Sequence, residues 1–446
     1  MASRFSRVAC AVLAVCCTAV PSRAQDRPDR PYRGLFGGGG GAGEWNESLT
    51  AQASVGVGAD NNLLAVTGIG ETPELQLAGN HPQVQTYGFL SAGLSYSVRK
   101  GRVGLGASVG TSSQYVPSIN TPFVGNHAGS FGVSLQLSRR SQLNATQTVY
   151  LRPYNVLVLG PPIGEPLLGQ AAPIEAAFGI RRDDHISQSS DISFRRQIGR
   201  RSSLDLDYGR TSNGASTSLG GGGLGSQAGS GRFSTGLTRG LGAHAGYTYT
   251  EARYPDESPF AIGHNADIGL DFNRALSVSR RTKLSFSTGS SLLKDYQRSY
   301  YRLTGNAVVT REIGRSWVAN ISYYRGVGFV ERFRKPFFSD SVTLGMDGLI
   351  TRRLAFRSYA SAMNGDLGLG TEGNAFRSYS GTTGVTMAIT RFLALGTDYI
   401  YYRYGFARVD GLPTGVAREL DRHSGRVYLS MWVPILQRGR RTNASR

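Results

Sequence analysis

Cysteine is almost missing from this 446-residue chain, and the three present, Cys10, Cys16 and Cys17, all fall in its N-terminal segment. Everything downstream is therefore left without disulfides or thiol chemistry. Long apolar runs are also lacking. Hydrophobic residues make up 40% of the chain, yet no stretch approaches the ~20 residues that a membrane-spanning helix requires. Acids are scarce, 30 against 49 Lys and Arg, giving a formal net charge of +19. That excess sits at turns and in the C-terminal tail, without a basic helix or an aromatic RNA-reading motif, so nucleic acid is not expected as a partner. The few histidines, including His81, His127, His244, His264 and His423, have no metal-ligand spacing, and Asp183-Asp184 has no partner in the sequence. No cofactor is expected.

Glycine is abundant instead, at 60 residues, and Tyr and Phe number 22 and 19. Arg4 and Arg7, the apolar run Val8 to Val20 and the small residues around Ser22-Arg23-Ala24 read as a cleavable signal peptide over 1–24. Leu13-Ala14-Val15-Cys16 only loosely fits a lipoprotein box, because Val15 stands where a small residue is preferred. Residues 25–44 contain Pro28, Pro31 and the run Gly37 to Gly41 and read as a flexible periplasmic lead, too short for a plug domain.

From Trp45 onward the pattern is alternation. Ala266, Ile268, Leu270 and Phe272 hold even positions against Asp267 and Asp271, a reversal is expected at Ser279 to Thr282, and Leu284, Phe286 and Leu292 resume the even register. One face of this hairpin is apolar and the other small and polar. Basic reversals recur near Arg99-Lys100, Arg139-Arg140, Arg200-Arg201, Arg239, Arg280-Arg281, Arg315, Arg352-Arg353 and Arg391, most of them one strand pair apart. Eight such pairs, with a first strand near Trp45 to Gly58 and a last near Arg422 to Ile435, predict about 18 strands. The connections at the other end are long, except between Lys294 and Ser299.

Short turns at one end and long loops at the other, with Val427, Leu429, Met431, Val433 and Ile435 alternating to the end, resemble bacterial outer-membrane β-barrels of the porin kind. More loosely, the chain resembles barrel porins encoded beside exopolysaccharide-export genes. The family's barrels end on an aromatic residue, whereas Leu436 to Arg446 adds a basic tail. The expected fold class is all-β: a transmembrane antiparallel up-and-down barrel over 45–435, with short periplasmic turns and long external loops. Expected partners are outer-membrane lipids and lipopolysaccharide, the barrel-assembly machinery and, under an export role, periplasmic export proteins.

Parity assigns candidate lumen residues. Arg232, Arg302, Arg357 and Arg426, with Asp271, Asp347 and Asp398, fall opposite the apolar set, where arginines would draw anionic solutes and pairing with aspartates would cancel that pull. Tyr300, Tyr324, Tyr402 and Tyr404 are inner-face aromatics. Residues 153–183 carry Pro161, Pro162, Pro166, Leu167 and Leu168; analogy with general porins makes them an inward constriction loop, and the alternative is a loop packed across the barrel mouth or onto a neighbouring protomer. His185-Ile186-Ser187 has the spacing of outer-membrane lipid hydrolases, but the alternation aims His185 and Ser187 away from lipid, so no catalysis is expected. The resulting function is an outer-membrane channel for passive or gated passage of small polar or anionic solutes. The alternative is an accessory barrel for exopolysaccharide secretion or surface assembly.

Overall fold

A computed structural model describes residues 45–62, 84–117, 123–152, 185–215, 225–238, 240–253, 261–272, 274–276, 279–295, 299–314, 316–329, 336–367, 374–408 and 418–439. Its strands are β1 (Trp45–Asp60), β2 (Gln85–Lys100), β3 (Val103–Tyr115), β4 (Phe123–Ser138), β5 (Ser141–Arg152) and β6 (His185–Gln197). Then come β7 (Ser202–Ala215), β8 (Gly225–Gly236), β9 (Leu241–Arg253), β10 (Ala261–Phe272), β11 (Arg274–Leu276), β12 (Ser279–Asp295) and β13 (Ser299–Ile313). The last six are β14 (Trp317–Phe329), β15 (Pro336–Leu349), β16 (Leu354–Leu367), β17 (Asn374–Ala388), β18 (Leu393–Phe406) and β19 (Glu419–Gly439).

Apart from β10 and β11, which both pair with β12, each strand pairs antiparallel with its neighbours in sequence, and β1 pairs with both β2 and β19, so the sheet closes on itself. Because β10 and β11 are two segments of one stave, the wall is a closed 18-strand barrel. Among the described residues no helix is long and apolar enough to cross a membrane.

The alternation runs around the wall. Val55, Val57, Leu90, Leu94, Ile321, Leu344, Leu429 and Met431 stand exposed on the outer surface. Ser48–Ser97, Ser54–Ser430 and Ser108–Ser130 are joined by hydroxyl hydrogen bonds of 2.7, 2.8 and 3.2 Å on the opposite face. The inner face can carry hydroxyls because it faces a wet interior, while a barrel leaves no sheet edge to satisfy.

The short turns have a recognisable chemistry. In Leu237-Thr238, Ile350-Thr351 and Ile389-Thr390, the first backbone N–H bonds to the carbonyl of the leucine four residues on, at 2.8, 2.8 and 2.9 Å. Each threonine Oγ1 accepts from that leucine's N–H at 3.0–3.1 Å. A threonine hydroxyl thus satisfies turn amides that the ladder leaves over. Gly101 and Gly314 take φ of 60° and 61°, the left-handed conformation that glycine reaches without cost.

Three sequence expectations need correction. The reversal expected at Ser279 to Thr282 comes earlier: Leu276 faces Ser279 while Ala275 faces Lys283, so residues 280–282 are extra residues bulged into the start of β12. β1 runs to Asp60, beyond Gly58, because the ladder to β19 continues to Ser424. Leu436 to Gly439, read as the start of the tail, belong to β19. Register shifts in β1 let Leu49 pair Leu436 and Trp45 pair Gly439, and Arg438 Nη1 reaches Glu47 Oε2 at 3.3 Å.

Candidate functional site

The inner wall is built from large side chains lying over glycines of the neighbouring strand. On β1, a Cβ at Gly58 would come within 2.5 Å of the Tyr87 ring, and one at Gly56 within 2.8 Å of the Phe89 ring. Gly396 on β18 makes room for the Tyr428 ring in the same way, and Gly384 on β17 for the Asp398 carboxylate. Side chains can therefore lie along the wall instead of projecting across the interior.

Asp398 and Arg426 face each other directly across the β18–β19 ladder. Arg426 donates to Asp398 Oδ2 from Nη2 at 2.6 Å and from Nε at 2.9 Å, and Tyr428 OH donates to Oδ1 at 3.4 Å. The guanidinium also lies 5.7 Å from the Phe89 ring centre and 5.6 Å from that of Tyr428. Both side chains of the pair are largely covered, at 14% and 12% exposure.

Asp347 and Arg357 repeat the arrangement across β15–β16. Arg357 Nε donates at 3.2 Å and Tyr359 OH contacts both carboxylate oxygens at 3.1 Å, but here the arginine is half exposed to the interior. Arg232 lies opposite Asp205 in the β7–β8 ladder, and Asp205 also binds Arg195. Four of the sequence-predicted charges thus form two pairs of direct neighbours. Arg302 is elsewhere: its guanidinium sits 5.6 Å from the ring of Phe338, and Nη1 donates to the Tyr301 carbonyl at 3.2 Å. Asp271 lies on β10, and its side chain is outside the described residues. The proposed constriction residues, Pro161, Pro162, Pro166, Leu167 and Leu168, also lie outside them.

Sequence reasoning missed a further pair, Asp60 and Arg422. Arg422 Nε donates to Asp60 Oδ2 at 2.8 Å, and Asp60 Oδ1 accepts from the Asn62 backbone N–H at 2.8 Å. Arg422 shares parity with Arg426, so its side was readable. Asp60 was hidden because the first strand was expected to end near Gly58.

His244 was also missed. Its buried ring places Nε2 at 2.8 Å from Asp267 Oδ2 and 3.4 Å from Ser287 Oγ. A Ser-His-Asp relay needs the carboxylate on one ring nitrogen and the hydroxyl on the other. Here both approach Nε2, so the trio is a packed polar contact without the geometry for activating a nucleophile. Ile186 is 39% exposed on the outer surface, which leaves Ser187 on the opposite side of β6.

Of the inner aromatics, Tyr402 and Tyr404 are 8% and 2% exposed and stack among Phe376 and Phe406, with Phe376–Phe406 ring centres 4.8 Å apart. They pack the wall and present no open stacking face to a passing sugar. Tyr247, Tyr323 and Tyr399 stand on the outer surface at 50%, 37% and 49% exposure. Tyr247 and Tyr399 meet His264 and His423 there through OH–Nδ1 contacts of 2.7 and 2.6 Å.

No protein-family model matches this chain, and no curated protein does. Among solved structures it is similar to Pseudomonas aeruginosa OccK2 (OpdF), at 12% identity and a TM-score of 0.46, covering 88% of this chain and 98% of that one. A structure of OccK2 in complex with glucuronate gives 13%, 0.45, 88% and 99%. The siderophore receptor PirA from the same organism gives 10%, 0.39, 86% and 80%.

Proposed function

We propose that this chain is a bacterial outer-membrane channel through which small polar solutes diffuse, its short turns in the periplasm and its long connections outside. The observation that carries this reading is the closed wall itself. Apolar side chains stand exposed around its outer surface, and hydroxyls and charge pairs line the inner one. Such a surface suits a lipid bilayer, and a barrel of about 18 strands is wide enough to hold a water-filled passage.

No chemistry on the solute is involved. Glycines let large inner side chains lie flat, and arginines lie against aspartates of adjacent strands. Hydrogen-bonding groups along that surface replace part of a polar solute's hydration shell during passage. Anion preference is the finer part of the proposal. It draws on Arg357, whose side chain is half exposed, and it is reduced by the matching Asp347.

Purified, folded protein added to a planar bilayer should give discrete conductance steps, with a small anion preference in a salt gradient. Folded protein that inserts and gives no steps refutes the channel. Deletion of residues 153–183 should raise the unit conductance.

A further inference from the structure

The wall is not hydrogen-bonded throughout. The β13–β14 ladder ends at Gly305 and Arg325, although β13 begins at Ser299 and β14 continues to Phe329. Their other neighbours remain paired to the end, β12 with β13 at Lys294–Ser299 and β14 with β15 at Phe329–Pro336. Tyr301 to Thr304 and Gly326 to Phe329 therefore flank a seam at the long-loop end, roughly 13 Å deep at ~3.3 Å per residue.

Side chains from opposite faces of the sheet meet at this seam. By register, Leu293, Tyr300 and Arg302 belong to the inner set, and Arg325, Val327 and Phe338 to the outer set. Yet Leu293 and Phe338 pack together at 2% and 8% exposure, with Tyr300 and Val327 against them. Arg302 and Arg325 lie 5.6 and 5.1 Å from the same Phe338 ring. Residues of the two faces can meet this way only where the wall is not a single sheet.

Arg325 Nη1 is 3.6 Å from Asp340 Oδ1, but its buried Nε has no hydrogen-bond partner among the described residues. A buried, unsatisfied guanidinium N–H is costly and calls for an acceptor. Beside it, Tyr301 and Leu303 on the unpaired part of β13 are 61% and 62% exposed to the membrane side.

We propose that the seam binds an anionic amphiphile of the fatty-carboxylate class, with its head between Arg302 and Arg325 and its chain along Tyr301 and Leu303. The site rests on the membrane orientation given above. Lateral entry from the bilayer needs neither solute flow nor an open lumen.

The test uses the folded full-length barrel in maltoside micelles and a nitroxide-labelled fatty acid followed by electron paramagnetic resonance. A saturable immobilised signal is expected, displaced by dodecanoate and not by dodecanol. Arg302→Gln with Arg325→Gln should weaken binding at least tenfold, the loss of about one charge-assisted hydrogen bond. Equal displacement by the alcohol, or unchanged affinity in the double variant, overturns the proposal. A Leu303→Cys, Val327→Cys pair covers the case in which the arginine variant does not fold. It takes the next same-face positions beyond Gly305–Arg325, and the native cysteines lie outside the barrel. Oxidation should abolish binding and reduction restore it, while bilayer conductance stays unchanged. Equal binding in both redox states overturns the site, whereas loss of conductance in the wild type would count against the channel alone.

Discussion

Replacing Asp398 by alanine removes the carboxylate from a pair whose side chains are only 14% and 12% exposed. Arg426 loses two hydrogen bonds to Oδ2 and keeps its positions over Phe89 and Tyr428. Breaking a fully buried pair costs ~3–5 kcal/mol. The cation–π contacts retain about 0.5–1 kcal/mol each and water from the interior can reach the freed guanidinium, so a loss of about 2 kcal/mol is expected. Arg426→Ala should cost a similar amount by leaving Asp398 with only the long bond from Tyr428. In the double variant the losses should not add, giving a coupling of roughly 2 kcal/mol. Urea titrations of the barrel in lipid vesicles, read by tryptophan emission and by heat-modifiable gel mobility, measure all four corners. A coupling below about 0.5 kcal/mol would show that the pair is not energetically joined. The same variants have an electrical readout. Asp398→Ala should move the reversal potential toward anion preference and Arg426→Ala toward cation preference. Identical potentials would place this pair away from the conducting path.

Leu344→Arg on the outer surface should destabilise the inserted barrel by ~2–4 kcal/mol, while Thr343→Arg on the inner face should cost much less; equal losses by urea titration would contradict the facing assignment. Gly348→Ala drives a Cβ to 2.1 Å from the Trp317 ring, so a loss of about 1–3 kcal/mol is expected, against little change for Gly425→Ala, which meets nothing within 4 Å. Thr351→Ala and Thr390→Ala should each cost about 0.5–1.5 kcal/mol and lower refolding yield into vesicles, since each removes a hydroxyl that accepts from two turn amides.

The barrel was legible because its two faces meet different solvents, so the period of two persists through nearly every strand. Parity also put Asp347, Arg357, Asp398 and Arg426 on one face. It could not join them into pairs, because a partner across a ladder is set by register, and register depends on turn geometry that local periodicity does not contain. Arginines drew attention to the turns, but in three of them the recurring structural residue is the preceding threonine: Thr238, Thr351 and Thr390. The seam left no trace in the sequence. Ser299 to Thr304 alternate like any other strand, and nothing local records that a strand's second neighbour is missing. The hairpin from His264 to Lys294 looked regular for the same reason, yet its ladder is broken between Ala266–Ser290 and Arg274–Leu284.

The placement of charge also bears on what the proposed channel could select. Arginine and aspartate on adjacent strands lie within hydrogen-bond distance, well inside the ~8–10 Å over which salt screens a charge. A solute near the middle of the interior therefore meets a set of short dipoles lying along the wall, whose fields fall off faster than those of isolated guanidiniums. Arg357 departs from this pattern in one respect: it is bound to Asp347 through Nε at 3.2 Å while half of its side chain faces the interior. It can turn toward an anion without breaking the fold, whereas Arg426 is held by a carboxylate and two aromatic rings. Any anion preference from these pairs should therefore be weak and should depend more on Arg357 than on Arg426. Stronger discrimination would have to come from groups that approach the axis more closely than the flat-lying side chains of the wall do.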